Sequence, residues 1–210
     1  MNQVIDILLL TSSQCPHCQT LKRQLDDAIS QGMLSTYELI NIEDSPEVAN
    51  KYGVRSVPWL LLGSYEFDGA MKNSELYSWL TLLSNNKGNS EYAEYLLLNG
   101  KLSKLIDWLE KGNGSLQEVL SLIDNPDTKI NVRIGVGAVM EHFEGRDNLK
   151  ELTPSILEML ENDSPAIRAD ACHFLVLTRG QGVARQLQAL LKDPDPHVRE
   201  IAREGLDELN

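Results

Sequence analysis

The feature that most constrains this chain is Cys15-Pro16-His17-Cys18, two cysteines two residues apart where an apolar run gives way to a helical pattern. Residues 4–10 are apolar apart from Asp6, the pattern of a central strand covered on both faces. After a turn over 11–14, the apolar positions Cys18, Leu21, Leu25 and Ile29 recur at spacings of three and four and so share one helix face. Pro16 suits the first helical turn, where a missing N–H costs nothing, and Gly32 suits its end. A strand that hands over directly to a helix sets the first sulfur beside unpaired N–H groups and the positive end of the helix dipole, which favours thiolate over thiol. Cys15 is therefore the expected nucleophile and Cys18, one turn inside, the expected resolving thiol; no bound cofactor is expected, the Cys15-Cys18 pair itself carrying two electrons as a dithiol and giving them up as it closes to a redox-active disulfide.

Charge and cysteine usage bound the rest. The net charge of -12 and the absence of any basic run argue against nucleic acid as a partner, since such binding neutralises phosphates with clustered Lys and Arg. The apolar N-terminal run is too short to span a bilayer and is not preceded by Lys or Arg, the first basic residue being Lys22, so no membrane association and a cytoplasmic location are expected. Three cysteines are too few for a disulfide scaffold and suit a catalytic pair in a reducing compartment. Structural zinc requires four N or S ligands, whereas there is no second Cys-x-x-Cys and His17 is adjacent to Cys18 rather than a helical turn away; no metal site is expected. Cys172 lies in an apolar helical pattern as a small buried hydrophobe, and His142, His173 and His197 lack a ligand-set spacing.

Residues 37–42 alternate as a second strand; Ser45 and Pro46 open a short helix that Gly53 ends; Trp59-Leu60-Leu61-Leu62 is a third strand, with Tyr65-Glu66-Phe67 as its hairpin partner across Gly63-Ser64. A helix over 74–83, with Leu76, Trp79, Leu80 and Leu83 on one stripe, completes the order βαβαββα. With Cys-x-x-Cys opening the first helix and Val57-Pro58 directly before the third strand, residues 1–84 resemble the thioredoxin fold in its short, glutaredoxin-like form. The resemblance implies a cis Val57-Pro58 bond facing the cysteines, with the Val57-Pro58 loop binding the substrate peptide by strand pairing; Trp59 could add an aromatic contact there, but an apolar residue opening a strand is more often core. His17, when protonated, would stabilise the Cys15 thiolate. The Pro16-His17 pair resembles that of periplasmic disulfide oxidases, yet in a reducing compartment the couple is expected to rest as a dithiol. The buried acid that many thioredoxins carry six residues before the first cysteine is replaced by Leu9, and the glutaredoxin Gly-Gly motif is only partly echoed by Asp68-Gly69-Ala70.

Residues 85–90 are polar and turn-forming, the expected linker, and 91–210 read as all-α. Val119, Leu122 and Ile123, then Ile156, Met159 and Leu160, then Leu187, Leu190 and Leu191 each form the triplet of a core-facing helix. The last two units align at an offset of about 31 residues, pairing Leu160 with Leu191, Pro165 with Pro196, and Ile167-Arg168 with Val198-Arg199; Pro126 and Val132-Arg133 begin an earlier copy. Asp193-Pro194-Asp195-Pro196-His197-Val198-Arg199-Glu200 is similar to the turn of HEAT repeats, a resemblance covering about 115–210. It implies interaction between turn and arginine of neighbouring repeats, through Asn162 and Asp193 with Arg168 and Arg199. Leu102, Leu105, Ile106 and Leu109 belong to a degenerate fourth unit or an N-terminal cap.

Together these features lead to two expectations. The first is a thiol-disulfide oxidoreductase acting on a protein disulfide or thiol through Cys15, Pro16, His17 and Cys18, recycled by a reductase that the sequence does not name, with the helical array docking a protein partner. The second is an adaptor in which both domains bind partners and the cysteines are dispensable or only gate affinity by their redox state.

Overall fold

A computed structural model describes residues 6–85 and 87–209, so Val4 and Ile5 of the predicted first strand and Asn86 of the predicted linker lie outside the described residues. The chain divides into two compact units, 1–88 and 89–210.

In the first unit the elements are β1 (Ile7–Thr11), α1 (Pro16–Ser30), β2 (Glu38–Asn41), α2 (Pro46–Tyr52), β3 (Trp59–Leu62), β4 (Tyr65–Asp68) and α3 (Asn73–Ser84). They follow the expected βαβαββα order. The sheet order is β2-β1-β3-β4, with β1 parallel to β2 and the other pairs antiparallel. Since β1 is central, both of its faces are covered: Leu8 and Leu10 pack with Trp59 in one apolar cluster, and Leu9, at the opposite phase, is also fully buried. That is why its sequence shows an unbroken apolar run rather than alternation. The edge strand β2 leaves Leu39 partly exposed.

Helix α1 buries Cys18, Leu21, Leu25 and Ala28; Ala28 takes the deep position predicted for Ile29, which is only half-buried. Placing Ala28 inside continues the stripe at a spacing of three from Leu25, the alternative step of the same helical face. Gly53 ends α2 in the left-handed conformation, φ 65°. The register sets Thr11 opposite Asn41 and Leu10 opposite Trp59. The turn leaving β1 is thereby flanked by the end of β2 on one side and the start of β3 on the other, and this convergence positions the site.

The second unit is helical: α4 (Asn89–Leu98), α5 (Leu102–Glu110), α6 (Leu116–Leu120) continuing into a 3-10 turn at Ser121–Ile123, α7 (Ile130–His142), α8 (Asp147–Lys150), α9 (Thr153–Met159), α10 (Pro165–Leu177), α11 (Val183–Leu190) and α12 (Pro196–Glu208). Asn89 and Ser90, expected in the linker, already open α4. Helices α4 and α5 pack on each other and on α7, and α10 packs on α7, α9, α11 and α12. Leu191, predicted to face the core, is exposed; Val183 and Leu187 carry the burial of α11 instead. Two glycines inside helices mark close approaches: a Cβ at Gly135 would sit 2.6 Å from the Leu97 side chain, and one at Gly205 2.6 Å from that of Val176. A larger residue at either position would force the facing side chain to shift, which sets the close approach against the roughly 1 kcal/mol that glycine costs in a helix.

Candidate active site

Cys15 caps α1. Its backbone is extended, φ -95° and ψ 104°, and its sulfur accepts the Cys18 N–H at 3.1 Å. A sulfur holding an N-terminal helical N–H is in the environment that stabilises a thiolate. Cys15 is half-buried and Cys18 is 1% exposed, so Cys15 is the more accessible of the two sulfurs. The two are joined as a disulfide with Cα atoms 5.3 Å apart, within the ordinary span of such a bond. Pro16 sits in the first turn of α1, and His17 beside it is exposed.

The Val57-Pro58 bond is cis. The Val57 carbonyl oxygen lies 3.8 Å from Cys15 Sγ, so the loop leading into β3 faces Cys15. The Gly69 N–H, just after β4, donates to the Pro58 carbonyl at 2.9 Å and ties this loop to the sheet; Gly69 does so at φ 88°, a conformation that favours glycine. Trp59 is not at the surface. It is 1% exposed and packs against Tyr52, ring centroids 5.1 Å apart, because the alternation of β3 turns it into the core with Leu8 and Leu10.

The sequence reading missed a polar ring beside the cysteines. The Ser13 hydroxyl and backbone N–H, the latter at 3.3 Å, both donate to Glu43 Oε2; Asn41 Nδ2 donates to Ser13 Oγ at 3.0 Å; and the Glu43 N–H donates to Asn41 Oδ1 at 3.0 Å. The hydrogen bond from the Ser13 hydroxyl holds the Glu43 carboxyl below the usual carboxylate range. Only the strand register, Thr11 opposite Asn41, would have revealed it. Leu9, in place of the missing acid, is completely buried and brings no polar group.

In the helical unit, Arg168 grips Asp193 of the next repeat with two hydrogen bonds of 2.9 and 2.8 Å, and donates to the Asn162 carbonyl at 2.8 Å. Arg199 donates to the carbonyls of Asp193 and Pro194 at 2.8 and 2.9 Å. The ladder differs from expectation at two positions: Arg199 bonds carbonyls in the turn of its own repeat, and the Asn162 side chain does not meet an arginine. Asn162, which is neutral, turns its side chain to the Ser164 N–H, and the charged partner of Arg133 is Asp170. His142 contacts Glu110 at 3.0 Å and His173 contacts Glu141 at 3.3 Å, both on the surface. His197 lies 3.8 Å from Glu200, also exposed. Cys172 is completely buried, and that burial pushes its thiol up to about 12. Among the described residues, no group of three or more His, Cys, Asp or Glu is gathered as a metal site, and no helix is long and apolar enough to cross a membrane.

Comparison with known proteins finds similarity in two stretches of the chain. A family model described as a thioredoxin domain matches residues 4–81, and one described as HEAT repeats matches residues 115–207. The chain is 35% identical over 68 residues to a protein named thioredoxin from Methanocaldococcus jannaschii, an alignment spanning 31% of this chain and 80% of that relative.

Proposed function

Since the chain belongs to the thioredoxin family through its N-terminal domain, we propose that it is a thiol-disulfide oxidoreductase acting on protein disulfides through Cys15 and Cys18, with the HEAT-repeat region docking a protein partner. The observation that carries the reading is the placement of Cys15 Sγ between the Cys18 N–H and the cis Val57-Pro58 loop. In the reduced protein the Cys15 thiolate attacks one sulfur of a substrate disulfide, forming a mixed disulfide and releasing the other substrate sulfur as a thiolate that takes up a proton. Cys18 then loses its proton and attacks Cys15 Sγ. The second substrate sulfur leaves, the Cys15-Cys18 disulfide closes, and two electrons have passed to the substrate. An external dithiol reductant returns the protein to its starting state.

Half-exposure of Cys15 and burial of Cys18 support this order of attack. The position of the Val57 carbonyl, 3.8 Å from Cys15 Sγ, supports an extended substrate segment being held beside the cysteine pair, while the buried indole of Trp59 removes it from the contact surface. For the helical unit, an array of stacked repeats is suited to an extended protein-binding surface. Turbidimetric insulin reduction with dithiothreitol as the electron source tests the reaction. Catalysis well above the reagent alone, abolished by Cys15→Ser, is expected; catalysis that survives Cys15→Ser, or none in the unsubstituted protein, leaves the adaptor reading in its place.

A further inference from the structure

The turn that delivers Cys15 is restrained from one side. Between Thr11, the last residue of β1, and Pro16, which has no N–H to offer, the backbone contact within the turn is a 3.4 Å bond from the Cys15 N–H to the Ser12 carbonyl. Ser13, in the middle, is held instead by Glu43 from the loop after β2: both of its donors reach one carboxylate oxygen, and its hydroxyl oxygen accepts from Asn41. Asn41 is fixed in turn by strand pairing with Thr11 and by accepting the Glu43 N–H. The ring therefore refers the turn to the sheet itself.

We propose that Glu43 is a positioning residue for the exchange reaction, acting through Ser13 to set Cys15 Sγ where it meets the Cys18 N–H and faces Val57. This rests on the thiol-disulfide reading above. Ser13 and Glu43 are both exposed, so their bonds compete with water and contribute little to holding the fold together. What they restrict is the path of two residues leading to the nucleophile. A sulfur placed 3.1 Å from its N–H donor loses that stabilisation with a small displacement, and misplacement on the ångström scale costs reactivity steeply. The charge of Glu43 works the other way, since a carboxylate near the turn disfavours a thiolate. Positioning and charge thus predict opposite outcomes when the residue is replaced.

The test is the rate at which the full-length, reduced protein is alkylated at Cys15 by iodoacetamide, an uncharged reagent, read by peptide mass at neutral pH. Cys172 stays silent because it is buried and its thiol is raised to about 12. Glu43→Gln keeps an oxygen that can accept from Ser13 and removes the charge; Glu43→Ala removes both. The expected result is alkylation roughly tenfold slower in Glu43→Ala, and within about twofold of the parent in Glu43→Gln. Ser13→Ala, which keeps the backbone N–H bond, falls between them. The ordering persists at about 1 M salt, where the Debye length is about 3 Å and a charge effect is screened. Unchanged or faster alkylation in Glu43→Ala, or equal slowing in both Glu43 variants, overturns the proposal. Alkylation requires no substrate disulfide: an unsubstituted protein that fails to reduce insulin while Glu43→Ala slows alkylation refutes the oxidoreductase and leaves the positioning intact.

Discussion

At the scale of single residues, the two cysteines differ both in accessibility and in hydrogen bonding. Cys15 is half-buried at the helix cap, whereas Cys18 is 1% exposed. The asymmetry has a direct consequence for trapping. A reduced Cys18→Ser protein should accumulate a mixed disulfide between Cys15 and its target, visible on a non-reducing gel and identifiable by mass spectrometry. Cys15→Ser should accumulate none, although it retains one thiol of the pair. Equal trapping by the two variants would show that burial does not set the order of attack. Leu9 sharpens the expectation, because a fully buried apolar side chain supplies no proton acceptor for the resolving thiol from that position.

At the scale of elements, neighbouring repeats are joined by arginines whose carboxylate partners behave differently. The hydrogen bonds from Arg168 hold the Asp193 carboxyl below the usual range, and both side chains are largely buried. A folded-state pKa below the unfolded value of about 3.9 favours folding in full above about pH 4, and that contribution is lost as the pH falls through the depressed value. Asp170 is the reverse. Burial raises its carboxyl and Arg133 only partly opposes the shift, so its ionisation counts against folding as the pH rises through the raised value. Asp193→Asn is therefore expected to cost about 1–3 kcal/mol at pH 7, the difference narrowing progressively below about pH 4. Asp170→Asn is expected to cost less than half as much at pH 7. Urea denaturation of the two variants across this range checks both, and equal losses at neutral pH would contradict the assignment. The repeat spacing was legible in the sequence down to Arg168 and Arg199; the partner of Arg133 was not, because Asn162 aligns with Asp193 by position but lacks the charge.

At the scale of the whole molecule, the dominant property is the net charge of -12. A field of one sign raises encounter rates with oppositely charged partners and is weakened by salt. Between disulfide-containing peptides of equal length, cationic ones should be reduced faster than anionic ones, by about tenfold at low ionic strength, with the gap closing as salt is raised toward about 1 M. Stopped-flow measurement of kcat/KM against salt decides it; a preference for the anionic peptide would mean that local contacts at the Val57-Pro58 loop outweigh the global field. The division into 1–88 and 89–210 follows the same scale, one unit built on a sheet and the other on stacked helices.

The sequence alone determined the order of elements, the position of the cysteine pair at a strand-to-helix junction, the proline before β3 and the periodicity of the repeats, since each is carried by spacing along the chain. Only the tertiary structure decided that Trp59 faces inward, that Ala28 rather than Ile29 lies deepest in α1, that Asp170 answers Arg133, and that Glu43 holds Ser13. The reason is physical. Periodicity states which residues share a face, but the partner of that face depends on strand register and on how closely helices approach, and those are settled by packing between segments distant in sequence.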